Sequence, residues 1–174
     1  MTATHDAFGD ATPRHVLPLR SSRGGITLNA LLRSVVDEVA GQRRRQRLPQ
    51  VAITIDAGQS REPAADADRV KATLTLLVSA ACDAATVPDP ASDGPRLHEV
   101  VVTAVETSHG TEIEVADSGP GPEFRVPDAF AAAQRHAERL GGSLVVMACP
   151  DGGMAVTLRL GSCHDHGQAI RPAA

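Results

Sequence analysis

The stretch Thr111-Glu112-Ile113-Glu114-Val115-Ala116-Asp117-Ser118-Gly119-Pro120-Gly121-Pro122 constrains this chain more than any other. Ile113 and Val115 alternate with polar residues, the period-2 pattern of a strand with one buried face. The strand then runs into Asp117 and a loop rich in glycine and proline, which ends it. A carboxylate is thereby held at a strand end, beside a backbone that can reach φ > 0 and come close to a ligand. Such a group can accept a hydrogen bond from an exocyclic amine such as N6 of adenine. By itself the D-x-G-x-G spacing has low specificity, because Asp and Gly serve equally well in an ordinary strand-to-loop turn. The order of elements on either side decides between the two.

Thr27 suits the N-cap of a helix whose apolar residues Leu28, Leu31, Leu32, Val35, Val36 and Val39 recur at steps of three and four. This helix ends near Gly41 or runs on through Arg43, Arg44, Arg45 and Arg47. Cations are favourable at a helix C-terminus, so the arginines read as a solvated end, with an acidic partner as the alternative. Pro49 stops the helix, and Val51, Ile53 and Ile55 alternate as a short strand ending at Asp56. Beyond a loop at 58–65, Val70, Leu74, Leu77, Val78, Ala81 and Ala85 form the stripe of a second helix over 66–85. Pro88, Pro90, Gly94 and Pro95 mark a loop at 86–96. The run Val100 to Val105 predicts a central strand, turned by Ser108-His109-Gly110 into the strand that reaches Asp117, so the two form a hairpin. A third helix spans 128–140, with Asp128 as N-cap and Gly141 as stop. Two strands at 143–149 and 154–160 close the pattern through Pro150-Asp151-Gly152-Gly153. Upstream, His15 to Arg20 reads as a short edge strand that tolerates Pro18. This order predicts an α+β fold, a two-layer α/β sandwich with one mixed sheet and helices on one face. Residues 1–13 read as a flexible arm, 14–161 as the domain and 162–174 as a flexible tail.

A chain of 174 residues has room for one substantial core. With Phe8, Phe124 and Phe130 as its aromatic residues and no Trp or Tyr, that core must be Val, Leu, Ile and Ala. No set of rings is available to stack on unpaired bases, and a net charge of −4 argues further against a nucleic-acid partner. No apolar run approaches the ~20 residues of a membrane span. The first ten residues lack a basic start followed by an apolar stretch, so a cytoplasmic location without a membrane partner is expected. Cys82, Cys149 and Cys163 have no paired spacing that would suggest a disulfide framework. Cys82 and Cys149 fall in apolar patterns as small core residues. Cys163-His164-Asp165-His166 contains zinc-ligand types, yet four adjacent residues do not converge easily on one tetrahedral ion. His98, His109 and His136 show no triad-like spacing and read as surface or turn residues.

The element order and the wording of four segments together resemble the ATP-binding catalytic domain of sensor histidine kinases, the GHKL or Bergerat fold, over roughly residues 15–161. Thr27-Leu28-Asn29-Ala30-Leu31-Leu32 is similar to the entry of that family's first helix. Asp66 to Val70 followed by Leu74 to Ala81 is similar to its N-box helix. Asp117-Ser118-Gly119-Pro120-Gly121 matches the G1 box, and Leu140-Gly141-Gly142-Ser143-Leu144 with the closing hairpin matches the end of the domain. The resemblance implies that Asp117 recognises the adenine amine, that Gly119 and Gly121 shape the loop beneath the base, and that Ala81 lines the same pocket. ATP or ADP is the cofactor it implies.

The chain departs from the family in three places. The N-box Asn that helps to hold Mg²⁺ falls on Ala80, which has no oxygen to offer, and the Asn one turn earlier falls on Leu76. Neighbouring Asp83 reads as an exposed helical carboxylate. Between Gly121 and Gly141 the family inserts a mobile lid and a second glycine loop for the phosphates; here those glycines fall on Pro127 and Ala129, and Asp128 would repel a triphosphate. The residues before Thr27, broken by Pro13, Pro18 and Gly24-Gly25, do not fit the two-helix hairpin of a phosphoacceptor, so His5 and His15 are poor acceptors. Phosphoryl transfer depends mostly on positioning and on stabilising phosphate charge, so losing both the metal ligand and the phosphate loop should remove most of the catalysis. The expectation is a stand-alone degenerate ATP-binding module of bacterial two-component signalling. It would keep an adenine pocket, bind Mg²⁺ weakly or not at all, and act on a partner in trans: a histidine phosphotransfer, receiver or kinase protein. The alternative is a nucleotide-free protein-interaction module, a pseudokinase; an active kinase working in trans ranks third.

Overall fold

The computed structural model of the chain describes residues 26–58, 66–88, 97–121, 127–150 and 152–161. The edge strand expected at 15–20, the arm, the tail and the cluster Cys163 to His166 lie outside them. Thr27 caps helix α1 (Leu28–Arg45) as its sequence predicts: it is extended, at φ −67 and ψ 155, and its hydroxyl accepts from the Ala30 N–H at 3.3 Å. Leu28, Leu31, Leu32, Val35 and Val39 are buried along one stripe. The helix runs on past Gly41 and closes with Arg47 at φ 55 and the Leu48 N–H bonded to the Arg43 carbonyl at 3.0 Å.

Strand β1 (Ala52–Ala57) follows, then helix α2 (Ala67–Ala85), the hairpin β2 (Glu99–Thr107) and β3 (Gly110–Asp117), helix α3 (Pro127–Arg139), and the strands β4 (Ser143–Ala148) and β5 (Met154–Gly161). The third helix begins one residue earlier than expected. Pro127 is its first residue, a position where a missing N–H leaves no intrahelical bond unmade, so Asp128 lies inside the helix and does not cap it.

The five strands form one mixed sheet in the order β1-β2-β3-β5-β4. β1 pairs parallel with β2 and every other pair is antiparallel. A parallel pair needs a crossover, and α2 supplies it. On the inner face the register sets Ile55, Val102, Val115, Val156 and Val146 in one row across all five strands. β-Branched side chains suit such a pleated surface. The core joins this face to the three helices and is aliphatic, as the composition required. The opposite face carries polar cross-strand pairs: Arg159 Nε is 3.1 Å from Glu112 Oε1, and Thr157 Oγ1 donates to Glu114 Oε2 at 3.4 Å. Among the described residues no helix is long and apolar enough to cross a membrane.

Leu32 and Leu77 are 1% and 5% exposed, against 67% for Leu97. Leu32→Ala and Leu77→Ala should each cost about 2–5 kcal/mol in urea unfolding, and Leu97→Ala less than about 0.5 kcal/mol. Losses below about 0.5 kcal/mol at both buried positions would remove the core assignment.

Candidate functional site

Asp117 is the last residue of β3, on the same inner face as Ile113 and Val115, and is only 6% exposed. A carboxylate so far from water needs hydrogen bonds. Its Oδ1 accepts from the Gly119 N–H at 2.9 Å, an Asx-type turn that folds the loop back over the strand end. A Cβ on Gly119 would lie 2.7 Å from the Ala84 carbonyl oxygen and 2.8 Å from Asp117 Oδ1. Only glycine lets the loop rest on the last turn of α2. Gly121 is buried at φ 113, in the left-handed region that glycine tolerates. Ala81, three residues before Ala84 and so on the same helix face, is 3% exposed. The structure therefore brings Asp117, Gly119 and the C-terminal half of α2, with Ala81 on it, to one place.

The sequence reading missed several residues of this region. Gly153 was expected only to turn a hairpin. It sits at φ +85, and a Cβ there would overlap the Asp117 carbonyl oxygen, because Asp117 pairs with Met154 and the chain entering β5 passes over it. Arg43, expected in a solvated run, is buried at 7% exposure. Its Nη1 donates to Asp83 Oδ1 at 2.5 Å, its Nη2 to the Pro49 carbonyl at 3.4 Å, and its buried Nε has no hydrogen-bond partner. The signal was there to find, since Arg43 continues the buried stripe four residues beyond Val39. Cys82 is fully buried as expected, and burial pushes its thiol up to about 11; Arg43 opposes that rise, and the Asp83 and Asp117 carboxylates add to it.

The Mg²⁺ site of the resembled family does not fit the residues present. Ala80 and Leu76 have no side-chain oxygen, and Asp83 is held by Arg43. Among the described residues no group of three or more His, Cys, Asp or Glu is arranged to hold a metal ion. A shallow pocket of about 310 Å³ lies elsewhere, between Leu28, Asp56, Gly58, Thr103 and Glu106, further along β2 from the Asp117 end.

Comparison with solved structures identifies the fold. The catalytic domain of histidine kinase ThkA in a nucleotide-free form superposes with a TM-score of 0.61 at 17% identity, covering 78% of this chain and 94% of that one. The ATP-binding domain of PrrB from Mycobacterium tuberculosis gives 0.57 at 20% identity, with 78% and 94% covered. The cytoplasmic segment of histidine kinase QseC gives 0.56 at 16% identity, with 78% and 75% covered. No protein-family model matches the chain, and no curated protein matches it. The fold is that of the histidine kinase ATP-binding catalytic domain, the α+β sandwich with one mixed sheet that the sequence order predicted, five-stranded among the described residues.

The raised Cys82 pKa has a thermodynamic sign. Between its ordinary value of 9.0 and about 11 the folded state keeps a proton that the unfolded state releases. The stabilisation is complete below pH 9.0 and falls as pH rises towards about 11. In a Cys149→Ser, Cys163→Ser background, Cys82 should react with a thiol reagent at pH 8 only after denaturant is added. Rapid reaction of the folded protein would contradict its burial.

Proposed function

We propose that this chain is a degenerate histidine-kinase-like ATP-binding module of two-component signalling, with an adenine pocket at Asp117 and weakened binding of Mg²⁺ and phosphate. The observation that carries the adenine reading is a buried carboxylate closing β3, with Gly119 seated on the last turn of α2. A strand-end acceptor roofed by glycine backbone and walled by small helical side chains suits a flat base bearing an exocyclic amine. The fold shared with histidine kinase catalytic domains supports it.

The weakness towards phosphate follows from the residues around that acceptor. Ala80 and Leu76 supply no metal ligand, and Arg43 holds the nearby Asp83. Pro127, as the first residue of α3, has no amide hydrogen to donate to a phosphate at that helix end. Such a site would bind the base without aligning the γ-phosphoryl group, so the module would act on its signalling partner in trans by docking. The nucleotide-free interaction module is the second reading. It is favoured by Asp117 Oδ1 being engaged within its own turn.

Isothermal titration separates the readings. ATP, ADP and adenosine should bind with similar affinity, and Mg²⁺ should change little. A tenfold preference for Mg-ATP over adenosine, about 1.4 kcal/mol, would show that other residues serve the phosphates. Asp117→Ala should abolish adenine-nucleotide binding while circular dichroism shows a folded protein. Guanine sets a carbonyl oxygen where adenine has its amine, so GTP should bind more weakly by at least ~1–3 kcal/mol. If folded wild type and Asp117→Ala are equally unable to bind any nucleotide, Asp117 is a turn residue and the interaction module takes over.

A further inference from the structure

Ser118, between Asp117 and Gly119, is tied to the neighbouring strand by three hydrogen bonds. Its hydroxyl donates to the Leu97 carbonyl at 2.7 Å and accepts from the Glu99 N–H at 3.0 Å, while its own N–H donates to the Glu99 carbonyl at 3.1 Å. Both hydroxyl functions are thus used on a segment far away in sequence. That segment is itself anchored on two sides. His98 Nδ1 lies 2.5 Å from the Ala85 carbonyl at the end of α2, and the His98 carbonyl accepts from the Ala52 N–H of β1 at 2.8 Å. Ala85 follows Ala84, the residue whose carbonyl Gly119 packs against. The end of α2, the entry of β2 and the loop after β3 therefore form one junction, and the serine hydroxyl is a hinge pin within it.

Val100 and Asp117 are the last paired residues of β2 and β3 at this end, so regular ladder support stops where the candidate acceptor sits. Beyond it, one backbone bond, from the Ser118 N–H to the Glu99 carbonyl, and the side-chain bonds of Ser118 and Asp117 orient the loop. We infer that Ser118 is a positioning residue: its hydroxyl fixes the loop to the entry of β2, so that the Asp117 carboxylate meets a bound purine in one orientation and discriminates a 6-amino from a 6-oxo group. The inference rests on the adenine reading of Asp117. A carboxylate that can swing loses the directed bond to an amine and the repulsion of a carbonyl together. Discrimination should therefore fall further than overall affinity does.

The test compares ADP with inosine diphosphate by titration calorimetry on wild type, Ser118→Ala and Ser118→Thr. Native-state amide exchange of the Gly119 N–H without ligand, which reports its bond to Asp117, is measured on the same three proteins. Ser118→Ala should lower the ADP preference about tenfold and speed Gly119 exchange, while Ser118→Thr, which keeps the hydroxyl, should hold both within about twofold of wild type. If wild type prefers ADP and Ser118→Ala keeps the same preference and the same Gly119 protection, the inference is overturned and the adenine reading stands. Equal loss of both ligands in Ser118→Ala and Ser118→Thr would make Ser118 merely structural and would also overturn it. If folded wild type binds neither ligand, the adenine reading fails and this inference with it. Should Ser118→Ala not fold, Ser118→Cys replaces it, keeping the size with much weaker hydrogen bonding.

Discussion

Because β1 and β2 run parallel, the chain leaving one must cross the whole sheet face before it can begin the other, and this return is the constraint from which the rest of the structure follows. Helix α2 makes the crossing, pressed against α1, α3, β2 and β3 at once. Its buried residues extend from Val70 to Ala85, and the later ones are small: Ala81, Cys82, Ala84 and Ala85. Small side chains there let neighbouring backbone come close, which is what Gly119 does at the Ala84 carbonyl. The candidate site is therefore the place where the crossover helix ends against the central hairpin.

A second constraint is electrostatic. Arg43 and Asp83 join the C-terminal turns of α1 and α2, with side chains 9% and 69% exposed. Desolvating a guanidinium is costly, and a pair with only one buried partner recovers that cost in part. Its clearer effect is geometric, since the Pro49 carbonyl and Asp83 together hold Arg43 in one position and so fix how the two helices cross. The same pair binds Asp83, three residues beyond Ala80 on α2, to a cation of the protein itself.

Much of this was legible in the sequence because periodicity reports burial directly. The stripe Leu28, Leu31, Leu32, Val35, Val39 gave α1, and the alternation through Ile113 and Val115 placed Asp117 on the buried face by parity alone. The D-x-G-x-G segment gave the loop, and chain order gave the sheet. Arg43 holds a stripe position four residues beyond Val39, but its charge and its arginine neighbours point towards solvent, so the two signals conflict there. Ser118 and Gly153 were hidden for a different reason. Their partners, Leu97, Glu99 and the Asp117 carbonyl, are backbone groups that sheet register brings alongside, and no side-chain spacing encodes a contact with backbone. The start of α3 was misplaced by one residue because Asp128 is a good cap and Pro127 an equally good first residue, and local preference cannot rank the two.

The residues that build the core do not include positions 76 and 80 of α2. Val102, Val115 and Val156, with Ile55 packed against them, and the stripes of α1 and α2 make the core without Leu76 or Ala80. At both positions the residue present is a better helix former than asparagine, by roughly half a kcal/mol each on intrinsic propensity. Alanine and leucine also bring no polar group that must find a partner beside the core. Asp117 is different, because its buried carboxylate organises the turn by accepting from the Gly119 N–H. A carboxylate in that position is required by the loop itself, because the turn after β3 closes on it whether or not a ligand is bound.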